Sequence, residues 1–341
     1  MTTTSSTTTT TAPPTPPESR QRRRNSQREE GRLAALLLSP TFIVLGLVIL
    51  YPLLAALRES LFERGQQLDA DGFVTEGEQF VGLDHYLAIF QGETGTRFWN
   101  AFWNTTFFTV VTVAIEVVIG VAMALVMHHT LRGRGLVRAS ILVPWAVPTA
   151  VSALLWRWIF QADGVANEIL GQQILWTTEG FHAKLAVIIA DTWKTAPFIG
   201  LLVLAGLQII PNELYEAARV DGASAWRQFF QITLPLVKPA LLVAVLFRLL
   251  DVLRMFDLPF VLIGNQKRSV ETLSMLAWDE ASNLRYGAAA AYATLLFLYV
   301  ALIAFVFVKL LGADVIGEAR SRYRVAKQRK RARRSKEAMP A

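Results

Sequence analysis

Several residues in this 341-residue chain have types and spacings that can do chemistry. Arg248, Asp251, Arg254 and Asp257 alternate in sign at intervals of three, so neighbours on one helix can pair. Asp191, Trp193 and Lys194 place a ring between opposite charges, with Pro197 just beyond. Asn104, Thr105 and Glu116 are polar groups in apolar surroundings, and Trp145 lies between Pro144 and Pro148. Glu216, Ala217, Ala218, Arg219, Asp221 and Gly222 form a mixed run of small and charged residues. None of these sets is catalytic. No convergent carboxylate pair and no nucleophile–base set is present. His128 and His129 adjoin, but neighbouring side chains on a helix diverge by about 100°, so no metal site is expected. The chain has no cysteine, which excludes disulfides, zinc–thiolate sites, iron–sulfur clusters and thiol nucleophiles. It has no Gly-x-x-x-x-Gly-Lys-Ser/Thr phosphate loop; Gly133-x-Gly135 is too short, so the chain cannot hydrolyse ATP itself.

The elements that must position these residues are membrane helices. The chain is 53% hydrophobic and only 18% charged, with a mean hydropathy of +0.36. Six mostly apolar stretches, roughly 34–57, 101–128, 139–160, 184–209, 239–263 and 287–311, are each long enough to cross a bilayer. An all-α polytopic membrane protein follows, because backbone amides in lipid must bond within the helix. The first stretch is too long for a signal-peptide core and no small-residue cleavage site follows it. The tails and the 129–138 and 211–238 loops hold 22 Lys and Arg, against 6 in the other three loops. Both termini and the 211–238 loop should therefore face the cytoplasm of a cell-membrane protein, and the acidic 58–100 loop should face outward. Residues 1–32, rich in Thr, Pro and Arg, read as a disordered tail, and 312–341 as a basic one. The basic run Arg320–Lys336 suits anionic lipid headgroups. It has one interleaved aromatic, Tyr323, and no nucleic-acid role is expected of it.

The 211–238 loop carries the strongest local signal. Pro211 suits the first turn of a short helix, Glu213 and Glu216 suit its positive end, and Gly222 suits a turn with positive φ. Ser224 then caps a second short helix with Trp226, Phe229 and Phe230 on one face, which Pro235 should end. A helix-turn-helix DNA reader has a similar outline, but this unit is hemmed between two spans and has no basic recognition helix. It reads either as a plain connector or as an amphipathic docking knob.

Glu216–Ala217–Ala218, Asp221–Gly222–Ala223 and Ile232–Thr233–Leu234–Pro235 resemble, in type and spacing, the "EAA" loop of permease subunits of binding-protein-dependent ABC importers. Phe80–Val81–Gly82–Leu83–Asp84–His85–Tyr86, Phe98–Trp99–Asn100, Leu142–Val143–Pro144, Gly164, Asn167 and Arg254–Met255–Phe256–Asp257 resemble the carbohydrate-uptake branch of that family, above all its actinobacterial trehalose importers. The likeness covers roughly 33–311; Asn265–Gln266–Lys267–Arg268 departs from the family's Gly–Pro after Gly264.

The resemblance implies a type I ABC importer permease (MetI-like) fold with cytoplasmic coupling helices. It implies a second homologous permease, an ATPase subunit dimer that binds the ATP and magnesium, an extracytoplasmic sugar-binding protein, and a disaccharide such as trehalose as solute. Glu216, Ala217, Ala218, Asp221 and Gly222 would then couple to the ATPase. Charges cost about 2.5 kcal/mol or more each at a span centre, so the intramembrane polar groups must face the bundle interior. Asn104, Trp145, Trp193, Arg254 and Asp257 can line a sugar path or serve structural pairing and packing. Glu116 is a candidate partner for a cation on another span. Maltose-like and glycerol-phosphate-like solutes stay open. An ion-coupled secondary transporter acting alone would want an inverted repeat and a central ion site.

Overall fold

The computed structural model describes residues 20–68, 74–129 and 133–309. The start of the Thr-rich tail, Arg132 and the run Arg320–Lys336 lie outside the described residues. Contacts divide the chain into a unit up to Ala55 and a unit from Ala56 onward. In the first, helix α1 (Arg20–Leu45) passes through a π turn at Gly46–Leu50 into α2 (Tyr51–Glu59). Its backbone is helical from Arg20. Arg, Gln and Glu are good helix formers and extend the helix beyond its apolar stretch.

The second unit opens with an antiparallel hairpin, β1 (Phe62–Leu68) and β2 (Val74–Phe80), pairing Phe62 with Phe80 and Gly65 with Gly77. The hairpin lies within the acidic 58–100 loop. The Phe62 and Phe80 rings meet edge-on at 5.4 Å, and Arg58 lies 4.4 Å over the Phe62 ring. After the short α3 (Asp84–Leu87) comes α4 (Gly92–His128), which begins nine residues before the expected span. Then follow α5 (Arg134–Ala146) and α6 (Thr149–Ile159), bent by 93° at Val147–Pro148. The third apolar stretch, 139–160, is thus an elbow, since Pro148 has no N–H to continue the ladder. Next are α7 (Val165–Leu170), α8 (Phe181–Leu207), α9 (Asn212–Val220) and α10 (Ala225–Gln228).

Pro235 does not end α10. A π turn, Phe229–Thr233, runs on into α11 (Leu234–Val252), and its wider pitch accommodates the proline in α11's first turn. Helix α11 stops at Val252, short of the expected 263, and α12 (Asp257–Leu262) starts anew, so the four charges at 248–257 do not share one helix. Helices α13 (Leu273–Ser282) and α14 (Tyr286–Lys309) complete the described chain. Among the described residues five helices are long and apolar enough to cross a bilayer, or six with the bent α5–α6 pair taken as one crossing.

Helix α8 is the centre of the second unit. It packs on α4, α5, α6, α11 and α12. The α4–α8 approach needs small residues: a Cβ on Gly120 would fall 2.7 Å from Cβ of Ile199 and 3.0 Å from the Ala196 carbonyl. Threonines inside α4 satisfy themselves, Thr105, Thr109 and Thr112 each donating to the carbonyl four residues earlier at 2.6–2.8 Å.

Candidate functional site

The segment 211–233 is built as a closed knob. Pro211 caps α9 from outside rather than entering its first turn. The far end closes as a Schellman turn. Gly222 takes φ +72° and donates to the Arg219 carbonyl at 3.1 Å, and Ala223 donates to the Ala218 carbonyl at 2.8 Å. The Gln228 amide donates to the Ala223 carbonyl at 2.8 Å, fastening α10 to the turn, and Ser224 accepts from the Arg227 N–H as α10's cap. The hydroxyls of Tyr215 and Thr233 lie 3.0 Å apart, joining α9 to the π turn. Glu216, Ala217, Asp221 and Gly222 are exposed, and Ala218 is half-buried. Val220 is 88% exposed and Trp226 74%, with Trp226 stacked on Phe230 at 6.0 Å. Apolar side chains displayed on so small and well-fastened an element form a surface suited to a partner.

Deeper in the unit, three helices meet on one guanidinium. Arg248 of α11 donates Nε and Nη2 to the two carboxylate oxygens of Glu116 on α4, at 2.6 and 2.8 Å. Nη2 also reaches Asp191 on α8 at 2.7 Å, and Nη1 reaches Asp251 one turn along α11 at 2.5 Å. The Thr195 hydroxyl donates to Glu116 as well. Glu116, Asp191 and Arg248 are buried, as charges in an apolar bundle must be when paired. Glu116 thus has the cation that its position required.

A second charged cluster sits at the hairpin end. Arg97 contacts Glu271 at 2.5 Å and Asp279 at 2.7 Å, tying the start of α4 to α13 and the loop before it. Burial pushes the Asp279 carboxyl up, but hydrogen bonds from Arg97 and Asn265 outweigh it and hold the group below its ordinary value. Around them lies a cavity of about 410 Å³ lined by Arg64, His85, Glu93, Arg97, Arg268 and Arg285 among others. Each arginine on its wall is already paired with a carboxylate. Sequence reasoning missed this cluster, since Arg97 and its partners are 174 and 182 positions apart.

The other predicted residues lie apart. Asn104 is buried, and its amide nitrogen donates to the backbone carbonyls of Arg268 and Glu271 at 2.8 and 3.0 Å. Trp145, at the elbow, stacks on Phe198 at 5.7 Å, and Phe198 meets Phe247 edge-on. Trp193 meets Trp156 edge-on at 5.7 Å, at the start of an aromatic run through Phe160 to Trp176. Arg254 is exposed, bonded to the Leu250 carbonyl, and lines an open cleft of about 480 Å³ with Phe256 and Trp278. Asp257 is exposed in the first turn of α12. Asn167, quoted only as part of a motif, proves to be a staple. Its amide bonds the carbonyls of Ala162 and Ile174 and accepts from the Trp176 indole at 2.9 Å.

Residues 116–317 match the family described as binding-protein-dependent transport system inner membrane component. The chain is 38% identical over 288 residues to the trehalose transport system permease protein SugA of Mycobacterium tuberculosis, covering 84% of this chain and 91% of that one. It is 38% identical over 243 residues to the trehalose/maltose transport system permease protein MalF of Thermococcus litoralis, covering 70% and 81%. Its fold matches a chain of a bacterial ABC transporter that imports the acidic polysaccharide alginate, with a TM-score of 0.68 at 22% identity, over 86% of this chain and 98% of that one.

Proposed function

Because the chain belongs to the family of inner-membrane components of binding-protein-dependent transport systems, and is a transport permease rather than an enzyme, we propose that it is one of two permease subunits of an ATP-driven importer of a trehalose-like disaccharide. The observation that carries this reading is the exposed knob, closed by its own hydrogen bonds and set between two membrane helices. ATP and magnesium stay with a pair of ATPase subunits. A second, similar permease completes the path, and an extracytoplasmic sugar-binding protein delivers solute. The Lys and Arg of both tails and of the 129–138 loop support a cytoplasmic position for the tails and, as crossings alternate, for the knob loop.

In this mechanism Glu216, Ala217, Ala218, Asp221 and Gly222 seat α9 against the ATPase. Closure of the ATPase pair displaces the knob, and the Schellman turn and the Gln228 and Tyr215 bonds make it move as a rigid body. The helices continuous with it then reorient and switch the face to which the path opens. Trp145 and Trp193 offer ring faces to the apolar sides of a sugar, and Arg254 and Asp257 offer groups for its hydroxyls. Asn104 acts on the path indirectly, through the 268–271 backbone that it grips. The relatives' substrates support the disaccharide assignment, and a sulfoquinovosyl glycerol permease 35% identical to the chain is the competing precedent.

The test is reconstitution. Purification should bring down an ATPase and a second permease, and sugar with binding protein should stimulate ATP hydrolysis in the complex. Unlabelled trehalose should compete for uptake more strongly than maltose. Solute movement across liposomes by this chain alone would overturn the proposal.

A further inference from the structure

The knob is continuous with two membrane helices only. Four residues join α8 to α9, and the π turn joins α10 to α11. Helix α4 is not continuous with the knob, yet it packs on both α8 and α11. We propose that Arg248 is the positioning residue that makes α4, α8 and α11 one body, so that displacement of the knob is carried into α4. This rests on the coupling role proposed above.

The geometry is specific to that task. The guanidinium uses all three nitrogens, and each faces a carboxylate. Two of those carboxylates are on other helices: Glu116 on α4, held by two nitrogens, and Asp191 on α8. A lysine is a single flexible charge and cannot hold two helices at fixed angles, whereas the planar fork of arginine can. Thr195 adds a second α8 group to the same Glu116, so α8 grips α4 directly as well as through Arg248. Apolar side chains of equal volume would pack these helices as tightly. They would leave the helices free to slide, because dispersion contacts have no preferred direction, and the charged bonds fix register. Close packing at Gly120 and Ile199, one turn from Glu116, sets how near α4 and α8 lie, and the charged bonds set their register.

The experiment uses the assembled complex in proteoliposomes and the triple substitution Glu116→Gln, Asp191→Asn and Arg248→Met, which removes the three buried charges together and leaves only the solvent-exposed Asp251 without its partner. The complex should still assemble and hydrolyse ATP at the wild-type rate, because the knob is held by its own bonds. Uptake per ATP should fall about tenfold. Unchanged uptake per ATP would overturn the proposal. If the triple variant fails to assemble, Asp191→Asn alone, which keeps the Glu116–Arg248 pair, decides by the same ratio. The chain has no cysteine, so in a complex whose other subunits are cysteine-free, spin labels on cysteines placed at Val118 and Val243 report the α4–α11 distance. That distance should be equal in the nucleotide-free and ATP-bound states, and a change would overturn the single-body assignment. Gly222→Asp is the control: if it leaves uptake intact, the coupling role itself fails, whereas an uncoupled Gly222→Asp beside a normal triple variant rejects only the role of Arg248.

Discussion

Substitution of Gly222 separates docking from folding. The residue sits at φ +72°, and a Cβ added there meets nothing within 4 Å. Alanine therefore costs only its backbone strain, about 1 kcal/mol. Asparagine and aspartate enter the left-handed region more readily and cost less. Against a total stability of roughly 5–15 kcal/mol, none of these changes should lower the amount of protein in the membrane. If the turn is seated in a cleft of the ATPase, the same side chains overpack that contact by about 1–3 kcal/mol. That corresponds to a loss of roughly 5–150-fold in coupling. Complementation of a deletion strain, with labelled sugar uptake and an immunoblot of membranes, reads both quantities. Gly222→Asp and Gly222→Asn should both lose uptake at normal abundance, the larger side chains doing more harm than alanine. Wild-type uptake in Gly222→Asp would refute docking at this turn. Uptake kept by asparagine but lost with alanine would show that turn geometry alone is at stake.

Arg248→Met strands the buried carboxylates of Glu116 and Asp191, and breaking such a buried pairing costs about 3–5 kcal/mol; membrane abundance should fall several-fold on an immunoblot, and a normal level would contradict the pairing. Gly120→Val should also deplete the protein, by forcing α4 off Ile199, and adding Ile199→Ala should restore part of it. Tyr215→Phe removes the 3.0 Å bond to Thr233, worth about 1 kcal/mol, and should lower uptake less than about tenfold at constant abundance. Asp279 is held below its ordinary value of 3.8, so its contribution to stability is complete above pH 3.8 and is lost as pH falls through the lower folded value. Melting temperature of the purified complex should therefore drop below pH 3.8 more steeply than that of Asp279→Asn, and parallel curves would count against this.

The membrane crossings were legible because lipid leaves the backbone one local solution, so apolar length is nearly sufficient. The knob was legible because caps are written in single residues: Gly222 at positive φ and Ser224 as an acceptor occupy the positions that their chemistry requires. Spacing by three misled at Arg248 to Asp257. Only Arg248 and Asp251 pair, because the chain restarts after Val252 and puts Pro259 in the first turn of α12, where its missing N–H leaves no gap in the ladder. The hairpin had a signal in Asp71–Gly72, but strands this polar do not alternate clearly enough to stand out. The partners of Arg97, and the identity of Arg248 as the cation for Glu116, depend on tertiary proximity that no local pattern encodes.

The right-angled third crossing has a consequence for the bilayer itself. Its two limbs have 13 and 11 residues, or about 20 and 17 Å of helix, and set at 93° they reach only about 26 Å from end to end. The hydrocarbon layer is about 30 Å deep. The pair is thus too short to wall the layer by itself, and α4 and α8, with 37 and 27 residues, must line the rest of the depth beside it.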